Sequence, residues 1–351
     1  MVMERGRTIV LRLVHEQTLF FFSNVLRTMP PLRLQPLFKQ RPWGGQRLAQ
    51  QWHKPDATTA GWAESWEVVD LGGDQSRIVG GPFDGRTLHD LVREHPDELL
   101  GRHAACKQFP LLFKFLDAAE TMSVQVHPND AQAATLAPGQ HGKSEAWVIL
   151  AAEPNCQLFV GLKAGIDRGL LERHLAAGTV EQCLHSIPAR VGDVISVPPG
   201  TVHAIGASVS LAEIQQPSDV TYRLFDWNRR NAHGRMRPLH VESALQCIDF
   251  TCGPASPMAP RQLDALNGLS EELIRTEHFD WRRHSLAATR FRLPVEDRCR
   301  ILSLIDGRAQ IVSSTRREPL AAGESLVIPA ACGPVVIEPT SGTVLLETLP
   351  S

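Results

Sequence analysis

Past Pro30, glycine and proline cut the chain into apolar pieces of five to eight residues, the length of a β-strand and too short for a helical core. The pieces are FPLLFKFL (109–116), TMSVQVH (121–127), EAWVILA (145–151), DVISVP (193–198), SLAEI (210–214) and VTYRLF (220–225). None can bury its apolar face alone, and their spacing suits an antiparallel barrel or jelly roll, a mainly β fold. Two short helical inserts are expected. One covers 87–100, with Thr87 and Asp90 at capping-box spacing and Leu88, Leu91, Val92 and Leu99 on one face; the other covers 167–177, capped by Asp167 and stopped by Gly178.

The stretch TCGPASPMAP (251–260) marks a boundary, after which strand-like pieces resume at RCRILSLIDG (298–307), AQIVSS, ESLVIP and GPVVIEP. The expected organisation is a β domain with helical inserts over 29–250 and a smaller β barrel over 251–351. The pattern Gly192-Asp193-Val-Ile-Ser-Val-Pro198 returns as Gly323-Glu324-Ser-Leu-Val-Ile-Pro329, an offset of 131 residues, as two related barrels would produce. At that offset His203 maps to Pro334, so chemistry is expected in the first barrel. Residues 1–28 are interrupted by Arg12, His15 and Glu16, which leaves no unbroken span of the roughly 20 residues a membrane helix needs. No A-x-A-like cleavage site follows Phe22, so the segment is expected to be a non-native or disordered extension, with Met29 opening the folded chain.

Basic residues number 36 and acidic residues 38, a formal charge of −2 with no basic block, which gives no reason to expect a nucleic acid or a membrane as partner. The seven cysteines (106, 156, 183, 247, 252, 299 and 332) are odd in number and contain no C-x-x-C. Reduced thiols in a cytoplasm are the expectation, without a disulfide framework or thiolate zinc site.

In Ser123-Val124-Gln125-Val126-His127, strand alternation puts Ser123, Gln125 and His127 on one face and the valines on the other. A solvated outer face would explain this segment alone. Glu145, however, opens the apolar run AWVILA, and a carboxylate is seldom buried without a cation. Then Gly192-x5-Pro198-x-Gly200-x2-His203 resembles the second cupin motif up to the histidine, with Ala207 where the motif has Asn. Gln125, His127, Glu145 and His203 together offer two imidazole nitrogens and two oxygens, a set suited to a divalent metal with a position left open.

With RPWGG (41–45) and WAESWEV (62–68), the runs FPLLFKFLDAAETMSVQVHPND, GKSEAW, PPGTVHAIG and IQQPSDVTYRLFDWNR resemble the class I mannose-6-phosphate isomerases, or phosphomannose isomerases, over about residues 32–242. The resemblance implies cupin-type jelly-roll barrels and one Zn2+ per chain on Gln125, His127, Glu145 and His203. It implies interconversion of mannose 6-phosphate and fructose 6-phosphate through an enediol, with basic side chains near the sugar phosphate at Lys114, Lys143 and Arg223. The base is open among Lys143, a zinc-bound hydroxide and Glu64; Arg223 and Lys114 would hold the phosphate or the oxyanion. Asp130 departs from the Lys that often follows H-P-x, and only 57 residues separate Glu145 from His203, as in the short bacterial type. The expected partner is a small sugar phosphate, and the expected state a monomer or homodimer.

The same residues also fit other readings. An iron-dependent cupin oxygenase could use His127, Glu145 and His203 as a facial triad, and a sugar-phosphate-binding cupin could lack turnover. Lys114 could be an edge or snorkelling residue, Lys143 a solvated loop residue, and Arg223 a surface partner of Asp219 or Asp226. Trp43, Trp62 and Trp66 read as core or pocket wall, and Tyr222 should point away from Arg223.

Overall fold

The structure, a computed structural model, describes residues 28–54, 61–230, 233–263, 268–340 and 342–351. The expected extension at 1–28 lies, except for Thr28, outside the described residues. Met29 is buried and its N–H reaches the Ala331 carbonyl.

The fold is mainly β, built from antiparallel sheets. A five-stranded sheet runs in the order Leu184–Pro188, Gln157–Leu162, His203–Ile205, Val124–Val126, Tyr222–Phe225. Against it lies a six-stranded sheet in the order Val194–Val197, Glu145–Ala152, Val209–Gln215, Leu112–Ala118, Leu37–Gly45, Trp62–Val68. Leu116, Trp147, Leu158, Ile195 and Ile205 fill the space between them. The six-stranded sheet is buried on both faces, because alternation sends Phe113, Phe115 and Val148 the other way, onto Phe279, Trp281 and Ile301 of the second barrel.

This double burial corrects one alternative for Lys114. The strand Leu112–Ala118 is central, paired with Val209–Gln215 on one side and Trp62–Val68 on the other, so Lys114 is no edge residue. It shares the inward face with Leu116, and it is 3% exposed.

The second barrel packs an eight-stranded sheet on a four-stranded one, with Leu302, Leu304, Ile311, Leu326 and Ile337 inside. The repeated pattern is realised as the strands Val194–Val197 and Ser325–Ile328, one in each barrel. Hydrogen bonds cross the division expected at residue 250. Leu32–Gln35 and Arg77–Ile78 close the end of the second barrel's large sheet, with Leu32 opposite Val327. At this barrel's polar centre Glu347 is fully buried, with Oε2 lying 3.0 Å from His284 Nε2 and 3.5 Å from Arg282 Nη1, and Arg300 donating to Oε1.

The insert expected as one helix over 87–100 is two, Leu88–Glu94 and Pro96–Leu100. The Thr87–Asp90 capping box forms, but Pro96 has no N–H to offer and its ring forces His95 out of the helical region, to φ −133 and ψ 46. The second helix runs Arg168–Ala177, with Asp167 accepting from the Leu170 N–H and Gly178 left-handed at φ 68.

Candidate active site

Three side chains stand in one row across the five-stranded sheet. Gln125 lies directly opposite His203 on one neighbouring strand and opposite Arg223 on the other, and His127 follows two residues on, on the same face. Two local devices bring His203 and Glu145 to this row. The Pro198–Gly200 turn donates the Gly200 N–H to the His127 carbonyl; Gly200 sits at φ +85, where a Cβ would meet Asp249 at 2.9 Å. The loop before Glu145 is pinned by Asp130, whose carboxylate accepts from the Gly142 N–H at 2.7 Å and from Gln216, while Gln216 Oε1 accepts from the Ser144 N–H. Gly142 lies so close to this segment that a Cβ would meet the Asn129 carbonyl carbon at 2.6 Å. The residue that departs from the family pattern thus holds the loop carrying Lys143 and Glu145.

His127, Glu145 and His203 are buried, and their ligand atoms lie within 4.8 Å of one another. Each imidazole Nδ1 faces a backbone carbonyl, Val220 O at 2.8 Å for His127 and Thr201 O at 2.9 Å for His203. Those bonds place the proton on Nδ1 and leave each Nε2 with a lone pair aimed at the Glu145 carboxylate, at 3.4 and 3.3 Å. Both rings stay neutral: burial, then the Lys143 charge, pushes His127 down to about 3, and burial lowers His203.

Lone pairs facing a carboxylate need a cation between them. Lys143 meets part of that demand, with Nζ 2.6 Å from Glu145 Oε2 and 3.1 Å from His127 Nε2. Glu145 Oε1 has no hydrogen-bond donor, although the residue is 1% exposed. The Gln125 amide end lies 3.2 Å from His203 Nε2, in reach of the same point. Two neutral imidazoles, an undonated carboxylate oxygen and an amide fit a divalent cation.

Beside this cluster opens a cavity of about 360 Å³ lined by Glu64, Lys114, Gln125, Lys143 and Arg223, so the structure brings together all eight residues singled out from the sequence. Lys114 Nζ lies 3.3 Å from Glu213 Oε1 and 3.7 Å from Glu64 Oε2, above the Trp66 ring. Burial pushes the Glu64 carboxyl up, but Lys114, Arg41 and the Trp66 N–H together outweigh it and hold Glu64 ionised. Glu213, which also accepts from Trp147 Nε1, is pushed up by burial and by the Glu145 charge. Lys143 is raised: burial opposes its charge, and Glu145 more than offsets that.

Arg223 is not the surface partner of Asp219 or Asp226. Its Nε donates to Ser123 Oγ and its Nη1 to the Pro238 carbonyl, while Asp226 lies against Arg229 and Arg237. Tyr222 packs on the opposite face of the sheet, as alternation requires. Trp43 lines the cavity and Trp66 is core. Sequence reasoning did not single out Arg41, Glu213 or Arg237, all on the lining, and it placed Ser123 on the polar face of its strand without a role. Glu213 had a signal, a carboxylate inside the apolar run SLAEI, the argument used for Glu145.

Fold and site define a cupin-type β protein with a buried His–Glu–His group set for a cation. The family described as Phosphomannose isomerase type I, catalytic domain, matches residues 32–147. Mannose-6-phosphate isomerase ManA of Bacillus subtilis (strain 168) is 32% identical over 315 residues, covering 89% of this chain and 96% of that protein. The mannose-6-phosphate isomerase of Streptococcus mutans serotype c is 32% identical over 305 residues, covering 85% and 92%. The crystal structure of the mannose 6-phosphate isomerase from Bacillus subtilis superimposes with a TM-score of 0.83 at 27% identity, over 91% of this chain and 99% of that one. The chain belongs to the type I phosphomannose isomerase family. Among the described residues no helix is long and apolar enough to cross a membrane, and all seven cysteines are free.

Proposed function

We propose that this chain interconverts mannose 6-phosphate and fructose 6-phosphate, with one zinc ion held by Gln125, His127, Glu145 and His203. The observation that carries the reading is the pair of Nε2 lone pairs and the undonated Glu145 oxygen at the side of a cavity rich in both charges. When bound, zinc supplies Lewis-acid stabilisation of negative charge developing on a sugar oxygen.

The remaining work falls to side chains. Moving hydrogen between C2 and C1 through an enediol needs a group that takes a proton from one carbon and returns it to the other. Lys143 is held as an ammonium by Glu145, and Lys114, Arg41 and the Trp66 N–H hold Glu64 ionised, so these two act through their charges. Glu213 has raised proton affinity and faces the cavity, which suits it to carry the proton. Arg223, beside Gln125 in the sheet, is placed to donate to the oxyanion at the reacting end, with Lys114 supplying a second positive charge. The free thiols fit a cytoplasmic location.

A coupled isomerase assay on metal-stripped and zinc-restored protein tests this. Activity should vanish on stripping and return with zinc. Full activity of stripped protein would remove the metal from the mechanism. Oxygen uptake with iron in place of isomerisation would favour the oxygenase reading, and tight sugar-phosphate binding without turnover a binding role.

A further inference from the structure

The run Phe225-Asp226-Trp227-Asn228-Arg229 contributes nothing to the cavity lining, yet two of its side chains hold the segment that leads into Ser123, Gln125 and His127. The Tyr222–Phe225 strand stays beside Val124–Val126 as far as the Phe225–Val124 pair, with an irregularity after Arg223, and the ladder ends there. Beyond that pair, side chains take over from backbone. Trp227 donates its indole N–H to the Met122 carbonyl at 2.7 Å, and Arg229 donates Nη1 to the Thr121 carbonyl at 2.6 Å.

The loop is built to keep those two donors in place. Trp227 and Asn228 both lie in the left-handed region, at φ 55 and 54, a conformation that is costly for a bulky residue and persists only where its surroundings fix it. Here they do. The indole ring packs on Phe159 and Phe225 at centroid distances of 5.2 and 5.8 Å, and Asn228 Nδ2 donates to the carbonyl of Gly178, the cap of the Arg168–Ala177 helix. The buried Asp226 carboxylate grips Arg229. From the neighbouring strand His203–Ile205, the Ile205 carbonyl accepts from the Met122 N–H at 2.8 Å, and just beyond it the Ala207 N–H donates to Thr121 Oγ1. Thr121 and Met122 are thus tied to both neighbours of their strand.

The next residue is Ser123, whose Oγ accepts from Arg223 Nε at 3.2 Å, while Arg223 Nη1 donates to the Pro238 carbonyl at 2.9 Å. A guanidinium is planar, so bonds on Nε and Nη1 fix its plane and leave Nη2 for an oxygen in the cavity that Arg223 lines. We propose that Trp227 and Arg229 are positioning residues: by holding Met122 and Thr121 they fix Ser123, and through Ser123 they set the plane of the Arg223 guanidinium at the reacting end. This rests on the isomerase reading above. The metal-site side chains do not need the tie, because Gln125 is held in register with His203 and the His127 carbonyl accepts from the Gly200 N–H. Losing the tie should therefore cost turnover and leave metal binding in place.

Steady-state kinetics with mannose 6-phosphate, zinc content, and the nitrogen–proton NMR signal of the Arg223 Nε–H, identified by its absence in Arg223→Lys, test the assignment. Trp227→Phe keeps an aromatic ring against Phe159 and Phe225 and removes the donor. It should lower kcat about fivefold, the worth of one neutral hydrogen bond, with KM and zinc content much less affected. Arg229→Ala removes a charged donor and should lower kcat about tenfold or more, and Arg229→Lys should regain part of the loss. In Trp227→Phe and in Arg229→Ala the Arg223 signal should move toward its position in Ser123→Ala, and in the Ser123→Ala background neither substitution should lower kcat further. An unchanged kcat in Trp227→Phe, a kcat loss that tracks lost zinc, or a full effect persisting in the Ser123→Ala background overturns the proposal. If the wild-type protein does not turn over mannose 6-phosphate, the isomerase reading fails by itself. The NMR signal still decides the positioning role: movement toward the Ser123→Ala position in Trp227→Phe supports it, and an unmoved signal refutes it.

Discussion

Glu347→Gln removes one charge from the centre of the second barrel while keeping the side chain's shape. Burial pushes this carboxyl up, but the His284 hydrogen bond and the Arg300 and Arg282 charges outweigh it and bring its pKa from 4.5 to about 2. At about 1.36 kcal/mol per pH unit, that displacement corresponds to about 3 kcal/mol of stability carried by the ionised form. Because the folded pKa lies below the unfolded one, this contribution is fully present above pH 4.5 and is lost as pH falls toward 2. The variant also leaves Arg300 and Arg282 buried beside a neutral amide, and breaking such a pair costs about 3–5 kcal/mol. Urea unfolding of both proteins at pH 7, 5, 4 and 3 reads the effect. The stability gap should be about 3 kcal/mol or more and equal at pH 7 and 5, and the part due to ionisation should shrink to about half by pH 3. A gap below about 1 kcal/mol at pH 7, or one that does not change between pH 5 and 3, would show that the network does not favour the ionised carboxylate as the geometry requires.

Arg223→Ala should lower kcat by on the order of a hundredfold with KM much less affected, as for loss of one preorganised charged donor, and Arg223→Lys should rescue only partly. A near-normal kcat with a greatly raised KM would move Arg223 to the phosphate. Purified protein should hold about one zinc ion per chain by elemental analysis, and His203→Ala should lose most of it; full occupancy in the variant would take His203 out of the site. A chain ending at residue 250 should fail to give a cooperative thermal transition, because Leu32–Gln35 loses its partner Ser325–Ile328 and Phe113 and Phe115 lose Phe279 and Trp281. A cooperatively folding, metal-loaded fragment would refute that dependence.

The candidate site was legible because its side chains break a local rule. Gln125, His127 and Glu145 interrupt strands whose other residues are apolar, and strand alternation alone assigns them a face. Lys114 broke the same rule yet kept a bland alternative, since nothing local tells a central strand from an edge; only its pairing on both sides does. Arg237 and Asp226 gave no such signal. They lie in a polar stretch after Phe225, where charge is unremarkable, and only the fold brings Arg237 onto the cavity lining and Asp226 against it. Helix ends were readable through Thr87, Asp167 and Gly178, whereas the break at His95 followed from Pro96, which the apolar periodicity of 87–100 concealed. Strand existence was local information too. Strand partnership was not, and the pairing of Leu32–Gln35 with Ser325–Ile328 could not be read from either segment.

That pairing places a delay in the making of the molecule. Leu32 faces Val327, so 327 − 32 = 295 residues must be added after the first strand is synthesised before its partner exists. At roughly 5–20 residues per second, the interval is about 15–60 s, far longer than the microseconds in which a local hairpin closes. During that time Leu34 can already pair with Ile78, but Leu32, buried in the finished fold, lacks the strand it will face. Maturation of the second barrel is therefore timed by the ribosome, and the nascent chain's exposure to chaperones and proteases is set by how quickly those intervening residues are translated.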